Sequence, residues 1–276
     1  MHRFDVYRRT LITTGMVCLL FAGVAAAADD STPKLTNDQI KHFLLTAKVV
    51  KSKQSSKGIT SPWRLTLSDG TLTHDASFQA IDEHKSLMEM ASGRMEMNFV
   101  DSYKYNIAGF TLAEMLGLDD MVPVYVERKW SGNTGSISWW LPVKMDEEER
   151  HKQGITPPDQ DAWNKQMYRM RVFDQLIYDT DANLTNVLIG EDWKVYRVDF
   201  TRAFRTYKKL QRPEDLQRCD RQLLQKLKAL DRAQLAAATK HYLTKDELNG
   251  VMARRDLIVE RFQKLTAEKG EAEVLY

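Results

Sequence analysis

Three oxygen-bearing side chains fall close together in the second half of this 276-residue chain. Asp181 is followed by Asn186 five residues on, and Asp199 closes a strand-like run thirteen residues later. Transfer of a phosphoryl group asks a protein mainly to position a nucleotide and neutralise charge. An Asp facing an acceptor hydroxyl, with two hard oxygen donors for Mg²⁺, suffices for that chemistry because the ion keeps several of its waters. Asp181 suits the first role, and Asn186 with Asp199 suits the second.

Those groups must converge, and the surrounding residues provide the means. Val187-Leu188-Ile189 and Lys194-Val195-Tyr196-Arg197-Val198 read as short strands joined by Gly190-Glu191-Asp192-Trp193, a hairpin signal. The hairpin returns Asp199 beside the loop that holds Asp181 and Asn186. A helix from Trp163 to Tyr178, begun after Pro157-Pro158, delivers the chain into that loop, with Arg169 and Arg171 on the approach. A calcium loop is the rival for the same stretch, since Asp179, Asp181 and Asn183 sit at its first, third and fifth positions. It fails where Leu184 replaces the required Gly and Gly190 the bidentate Glu. Asp and Asn also serve as plain turn formers.

The phrases VFDQLIYD, TDANLTN and VDF followed by AF occupy residues 172–204. Their order resembles the catalytic core of the atypical kinase group that contains the phosphatidylinositol 3/4-kinases, the HipA-type kinases and the Golgi casein kinases. The resemblance implies a two-lobed α+β protein-kinase-like fold, with a small antiparallel β lobe and a mainly helical larger lobe. It implies Asp181 as catalytic residue, Asn186 and Asp199 as metal ligands, and ATP or another purine nucleotide with Mg²⁺ as cofactors. Relatives commonly have Asn at the place of Asp179, and a basic residue where this chain has Ala182.

The small-lobe phrases depart further. Relatives place a Lys on the phosphates from a strand and hold it with a Glu from the following helix. Here the corresponding phrases contain Gln79 and Asn106. Both partners of an ion pair are thereby amides, which can still hydrogen-bond across the site. An amide brings no positive charge, so Lys57, Arg64 or Lys85 would have to supply it. Ser136 to Pro142 resembles the strand and hinge facing the purine, which places Trp140 and Leu141 at the nucleotide. Trp139 and Trp140 also suit core and interlobe packing. The acidic run Asp146 to Glu149 suits a cleft rim or a solvated helix face.

The remaining elements supply the frame. Asn37 to Val50 reads as a helix with Ile40, Phe43, Leu44 and Ala47 on one stripe, followed by a polar loop, Lys51 to Gly58. Trp63 to Leu67 alternates as a strand, Ser68-Asp69-Gly70 turns, and Thr71 to Ala80 returns. A helix ends near Gly117, Met121 to Arg128 reads as a strand, and Asn133-Thr134-Gly135 as a turn. Helices are expected over Pro213 to Leu230, Asp231 to Tyr242 and Asn249 to Leu265. The last follows a capping box at Thr244 and Glu247, and shows Val251, Leu257, Ile258 and Phe262 as its apolar face.

Arg3, Arg8 and Arg9 precede an apolar run to Ala28, the form of a secretory signal peptide cleaved near Ala28. The expected organisation is 1–28 signal peptide, 29–142 N-lobe-like region and 143–276 C-lobe-like region, in one kinase-like domain. A secreted or periplasmic location follows, with an N-terminal membrane anchor as the alternative. Removing 1–28 takes three basic residues and one acid from 40 Lys plus Arg and 38 Asp plus Glu, leaving no net charge. That balance argues against a nucleic-acid binder. Cys219 is then the one cysteine, so no intramolecular disulfide forms, and it reads as a packed helix residue. The expected partners are a nucleotide and a protein, lipid or small-molecule acceptor, with no stable membrane span. The expected function is a Mg²⁺-dependent phosphotransferase, with a non-catalytic pseudokinase-type module or a nucleotidyl transferase as alternatives.

Overall fold

The structure is a computed structural model that describes residues 35–54, 62–90, 93 and 95–276. The proposed signal segment, Cys18 and Lys57 lie outside the described residues.

The chain enters through α1 (Asn37–Thr46), whose capping box pairs Thr36 with Gln39 and whose Phe43 and Leu44 are buried. This helix is four residues shorter than its sequence suggests. Val49 and Val50 suit a pleated strand better than a helix, and Lys48 pairs with Ser68 to open β1 (Lys48–Gln54). The polar stretch expected to be a loop is therefore strand as far as Gln54. Next come β2 (Trp63–Ser68) and β3 (Thr73–Gln79), turned by Asp69, whose Oδ1 accepts the Thr71 and Leu72 amides.

An antiparallel ribbon of β4 (Asp82–Glu89) and β5 (Met95–Ser102) follows. The sequence did not announce it. Its strands are largely solvent-facing, so no apolar alternation marks them. Then α2 (Lys104–Leu116) runs through the core and stops at Gly117, which is left-handed at φ 67°. β6 (Tyr125–Trp130) and β7 (Asn133–Trp139) complete a five-stranded antiparallel sheet in the order β1-β2-β3-β7-β6.

The turn between β6 and β7 sits at Ser131-Gly132, both with positive φ. Asn133-Thr134-Gly135, expected to turn, instead begins β7. Gly135 is needed there for a different reason: an added Cβ would lie 2.2 Å from the Gln79 carbonyl oxygen. Glycine lets β7 approach the end of β3 closely.

Next come β8 (Met145–Asp146) and α3 (Glu147–Gln153), capped by Asp146. α4 (Gln160–Ile177) ends on Tyr178 in the left-handed region and feeds the Asp181 loop. β9 (Val187–Ile189) and β10 (Val195–Arg197) form the expected hairpin, with β8 against β9. The helix expected over Pro213 to Leu230 breaks into a short 3-10 turn at Pro213–Asp215 and α5 (Arg221–Ala229). Asp220 caps α5 by accepting the Leu223 amide. Then come α6 (Arg232–Ala238), α7 (Lys245–Lys269) and α8 (Glu271–Val274).

On α7 the buried stripe is Val251, Arg254, Ile258, Phe262 and Leu265, whereas Leu257 is 37% exposed. Spacings of three and four place Arg254 on the inner face. Its Nε donates to the Leu176 carbonyl at 2.7 Å and its Nη1 to the Arg205 carbonyl at 2.8 Å. Among the described residues, no helix is long and apolar enough to cross a membrane.

Candidate active site

A cleft of about 720 Å³ opens between the five-stranded sheet and the β8–β10 region. Gln79 and Ser136 line it from the sheet, Trp140 and Leu141 from the connection after β7, and Asn186 and Asp199 from the far wall. Five of the seven residues singled out from sequence thus face one cavity. The sixth, Asn106, lies directly behind Gln79. It is fully buried on α2, and its Nδ2 donates to Gln79 Oε1 at 2.8 Å and to Ser136 Oγ at 3.1 Å. Its Oδ1 accepts the Phe200 amide at 2.7 Å, so α2 grips the residue that follows Asp199.

Asp181 is not part of the lining. It lies on the exposed loop beside the cleft, and its carbonyl accepts the Asn186 Nδ2 at 3.4 Å. Asn183 folds back on it, with Nδ2 3.3 Å from Asp181 Oδ1. The Asp181 backbone N–H donates to Asp179 Oδ1 at 2.8 Å.

Asp199 adopts the left-handed region at φ 59°, a conformation costly for most residues but tolerated by Asp. Neighbours hold it there. Its amide donates to Tyr125 Oη at 3.4 Å, and Thr201 Oγ1 donates to Asp199 Oδ1 at 3.1 Å. Phe200 fills the core and packs against Gly109 of α2, where an added Cβ would lie 2.9 Å from the ring. Burial and the Asp199 charge raise the Tyr125 phenol pKa, which keeps it a neutral partner. Nearby, burial raises Asp101, with the Asp199 charge adding to it against a hydrogen bond from Thr201.

Asn186 and Asp199 offer one amide and one carboxylate oxygen donor to a common cavity, a hard donor set that suits Mg²⁺ with water completing its shell. Among the described residues no group of three or more His, Cys, Asp or Glu could hold a metal. The pair fits an ion that a bound phosphate helps to hold.

Charge in the cleft runs opposite to simple phosphate binding. Asp146, Glu148 and Glu149 join Asp199 in the lining, against Arg64 and Lys144. Arg64 Nε donates to Asp75 Oδ2 at 2.7 Å, and its guanidinium stacks 4.3 Å from the Trp140 ring. Lys144 sits 5.0 Å from the Trp193 ring. Lys85, considered as a phosphate contact, pairs with Glu83 on β4 instead. Arg169 binds Asp120 and the Gly117 carbonyl, so it is a surface tether. Trp139 packs edge-on to Phe43 and stacks on His74 at 3.5 Å.

Sequence reasoning missed Tyr125, and it missed Arg197. Arg197 is 1% exposed and pairs with Asp174 and Asp179. A signal was present: a charged residue in a short strand of otherwise uncharged residues, two residues before Asp199.

No family model and no curated protein sequence matches this chain. Solved structures do. The structure of hydra Fam20 with sugar superposes with a TM-score of 0.64 at 15% identity, covering 87% of this chain and 93% of that one. The Golgi casein kinase gives 0.60 at 14% identity, covering 87% and 78%. The chain has an atypical kinase-like fold. The Helicobacter pylori proinflammatory kinase CtkA, at a TM-score of 0.52 and 7% identity, covers 83% of this chain and 98% of its own. Within that kinase-like fold the five-stranded sheet is the small lobe and the helices after β8 form the larger one.

Proposed function

We propose that this protein is a Mg²⁺-dependent phosphotransferase that binds a purine nucleotide in the cleft and phosphorylates a hydroxyl of a protein, lipid or small-molecule acceptor. The observation that supports this most is the meeting of Asn186 and Asp199 with Gln79, Trp140 and Leu141 around one cavity. Trp140 and Leu141 flank the purine, Gln79 meets the phosphates, and Asn186 with Asp199 holds the ion. Bound Mg²⁺ would neutralise phosphate charge and orient it. Asp181 orients the acceptor hydroxyl and accepts its proton, from a loop open to solvent where an acceptor has access. Residues 1–28 direct export, 29–142 form the nucleotide-binding lobe and 143–276 carry the catalytic and metal loops.

One observation favours a second reading, a regulatory module that binds nucleotide without transferring phosphate. The Gln79–Asn106 amide pair stands where an ion pair would otherwise meet the phosphates. Labelled ATP with Mg²⁺ on the protein from residue 29 onward separates the two. Transfer to an added acceptor or to water, lost in Asp199→Ala and reduced in Asp181→Ala, supports the enzyme. Nucleotide binding without transfer under any metal supports the module, and absence of binding refutes both.

A further inference from the structure

The Arg197 guanidinium touches the segments that present Asp181, Asn186 and Asp199. From the end of β10 its Nε donates to Asp174 Oδ1 on α4 at 3.1 Å, and its Nη2 donates to Asp179 at the head of the Asp181 loop. Its Nη1 donates to the Val198 carbonyl, which precedes Asp199, and reaches the carbonyl of Asn186 at 3.5 Å. Its carbon centre lies 5.4 Å from the Phe200 ring. Asp179 passes the contact on, because its other carboxylate oxygen accepts the Asp181 amide at 2.8 Å.

We propose that Arg197 is a positioning residue that locks the Asp181 loop, Asn186 and Asp199 into one rigid unit, with Asp179 as its required counter-charge. This rests on the phosphotransferase reading above. The planar fork of an arginine presents five donors in fixed directions, and here they reach two carboxylates and two carbonyls at once. A lysine has the charge but cannot span these acceptors. The arrangement also accounts for Asp at position 179. A neutral Asn would accept the Asp181 amide equally well, but it would leave a fully buried guanidinium with Asp174 as its sole directly bonded carboxylate. The Asp179–Arg197 pair thereby sets the spacing between Asn186 and Asp199.

The test reads metal affinity apart from turnover and well below the melting temperature. Mn²⁺ is titrated by electron paramagnetic resonance in the presence of a non-hydrolysable purine nucleotide, on the wild type, Arg197→Lys and the Asp179→Asn/Arg197→Met double variant. Arg197→Lys keeps the charge, and the double variant removes both charges of the Asp179–Arg197 pair and leaves Asp174, 17% exposed, to water, so each is expected to stay folded by circular dichroism. Both are expected to bind Mn²⁺ at least about 10-fold more weakly, and to lose kcat more than they raise the nucleotide KM. Wild-type Mn²⁺ affinity in either folded variant would overturn the positioning role and leave the pair as a packing device. A wild type that binds no Mn²⁺ with nucleotide would overturn the phosphotransferase reading, and this inference with it.

Discussion

Asn106 holds Gln79 with its amide nitrogen at 2.8 Å while its amide oxygen receives the Phe200 N–H at 2.7 Å. One buried side chain therefore joins the end of β3 to the segment carrying Asp199. Two amides satisfy each other here where a Lys and a Glu would need complementary charge, so each is matched to its partner.

Replacing one member should accordingly do more harm than replacing both. Gln79→Lys alone sets a cation against Asn106, and Asn106→Glu alone buries an acid; each should lower stability by about 1–3 kcal/mol. The double variant restores a charge pair beside the cleft and is expected to unfold close to the wild-type urea midpoint. Its rate of labelled phosphate transfer should exceed that of either single variant.

Gly109 is a steric requirement of the segment that carries Asp199 and Phe200. A methyl group there meets the Phe200 ring at 2.9 Å, and Phe200 is fully buried with nowhere to retreat. Gly109→Ala should cost about 1–3 kcal/mol as an overpacked core. Because the displaced ring adjoins Asp199, nucleotide-dependent metal binding should weaken as well. A urea melt and a Mn²⁺ titration measure the two effects.

Asp179 gives stability a pH dependence of unusual sign. Burial raises its pKa to about 6 against the opposing pull of Arg197. A carboxyl with a native pKa above its unfolded value of 3.8 binds protons more tightly when folded, so its contribution falls as pH rises from about 4 through 6. In Asp75 and Asp82 burial acts upward too, but hydrogen bonds from Thr66, Arg64 and Lys104 outweigh it, giving the opposite trend. Comparison with Asp179→Asn cancels those groups. The wild-type urea midpoint minus that of the variant should shrink between pH 4 and 7.

Cys219 should be chemically silent in the folded protein. It is fully buried, and burial pushes its thiol up to about 12. Thiolate is the reactive form, so a thiol reagent at pH 8 should leave native protein from residue 29 onward, which carries Cys219 alone, unlabelled. Labelling should appear in denaturant, at a rate that reports unfolding.

The helix boundaries and strands that could be read from sequence were those with a strong local cause. Thr244 and Glu247 form the expected capping box on α7, and Asp231, where the next expected helix starts, caps α6. The strand pair β9 and β10 follows from two apolar runs around a turn. The β4–β5 ribbon was invisible because its outward faces bury little, and α1 ended early because Lys48 and Val49 pair with Ser68 and Leu67 of β2. Pairing of this kind depends on a distant segment, and local propensity does not encode it.

The same division runs through the site. Residue type and order marked Asp181, Asn186 and Asp199, since hard oxygen donors carry their chemistry in their identity, while the resemblance to atypical kinases implied Gln79, Asn106, Trp140 and Leu141. Tertiary structure alone decided that Gln79 bonds Asn106, that Arg64 is spent on Asp75, and that Arg197 clasps Asp179. Those partners lie 11 to 27 residues apart. Which charges meet at such separations is fixed by how the chain packs, because a buried ion is tolerable only where the fold brings its counterpart within reach.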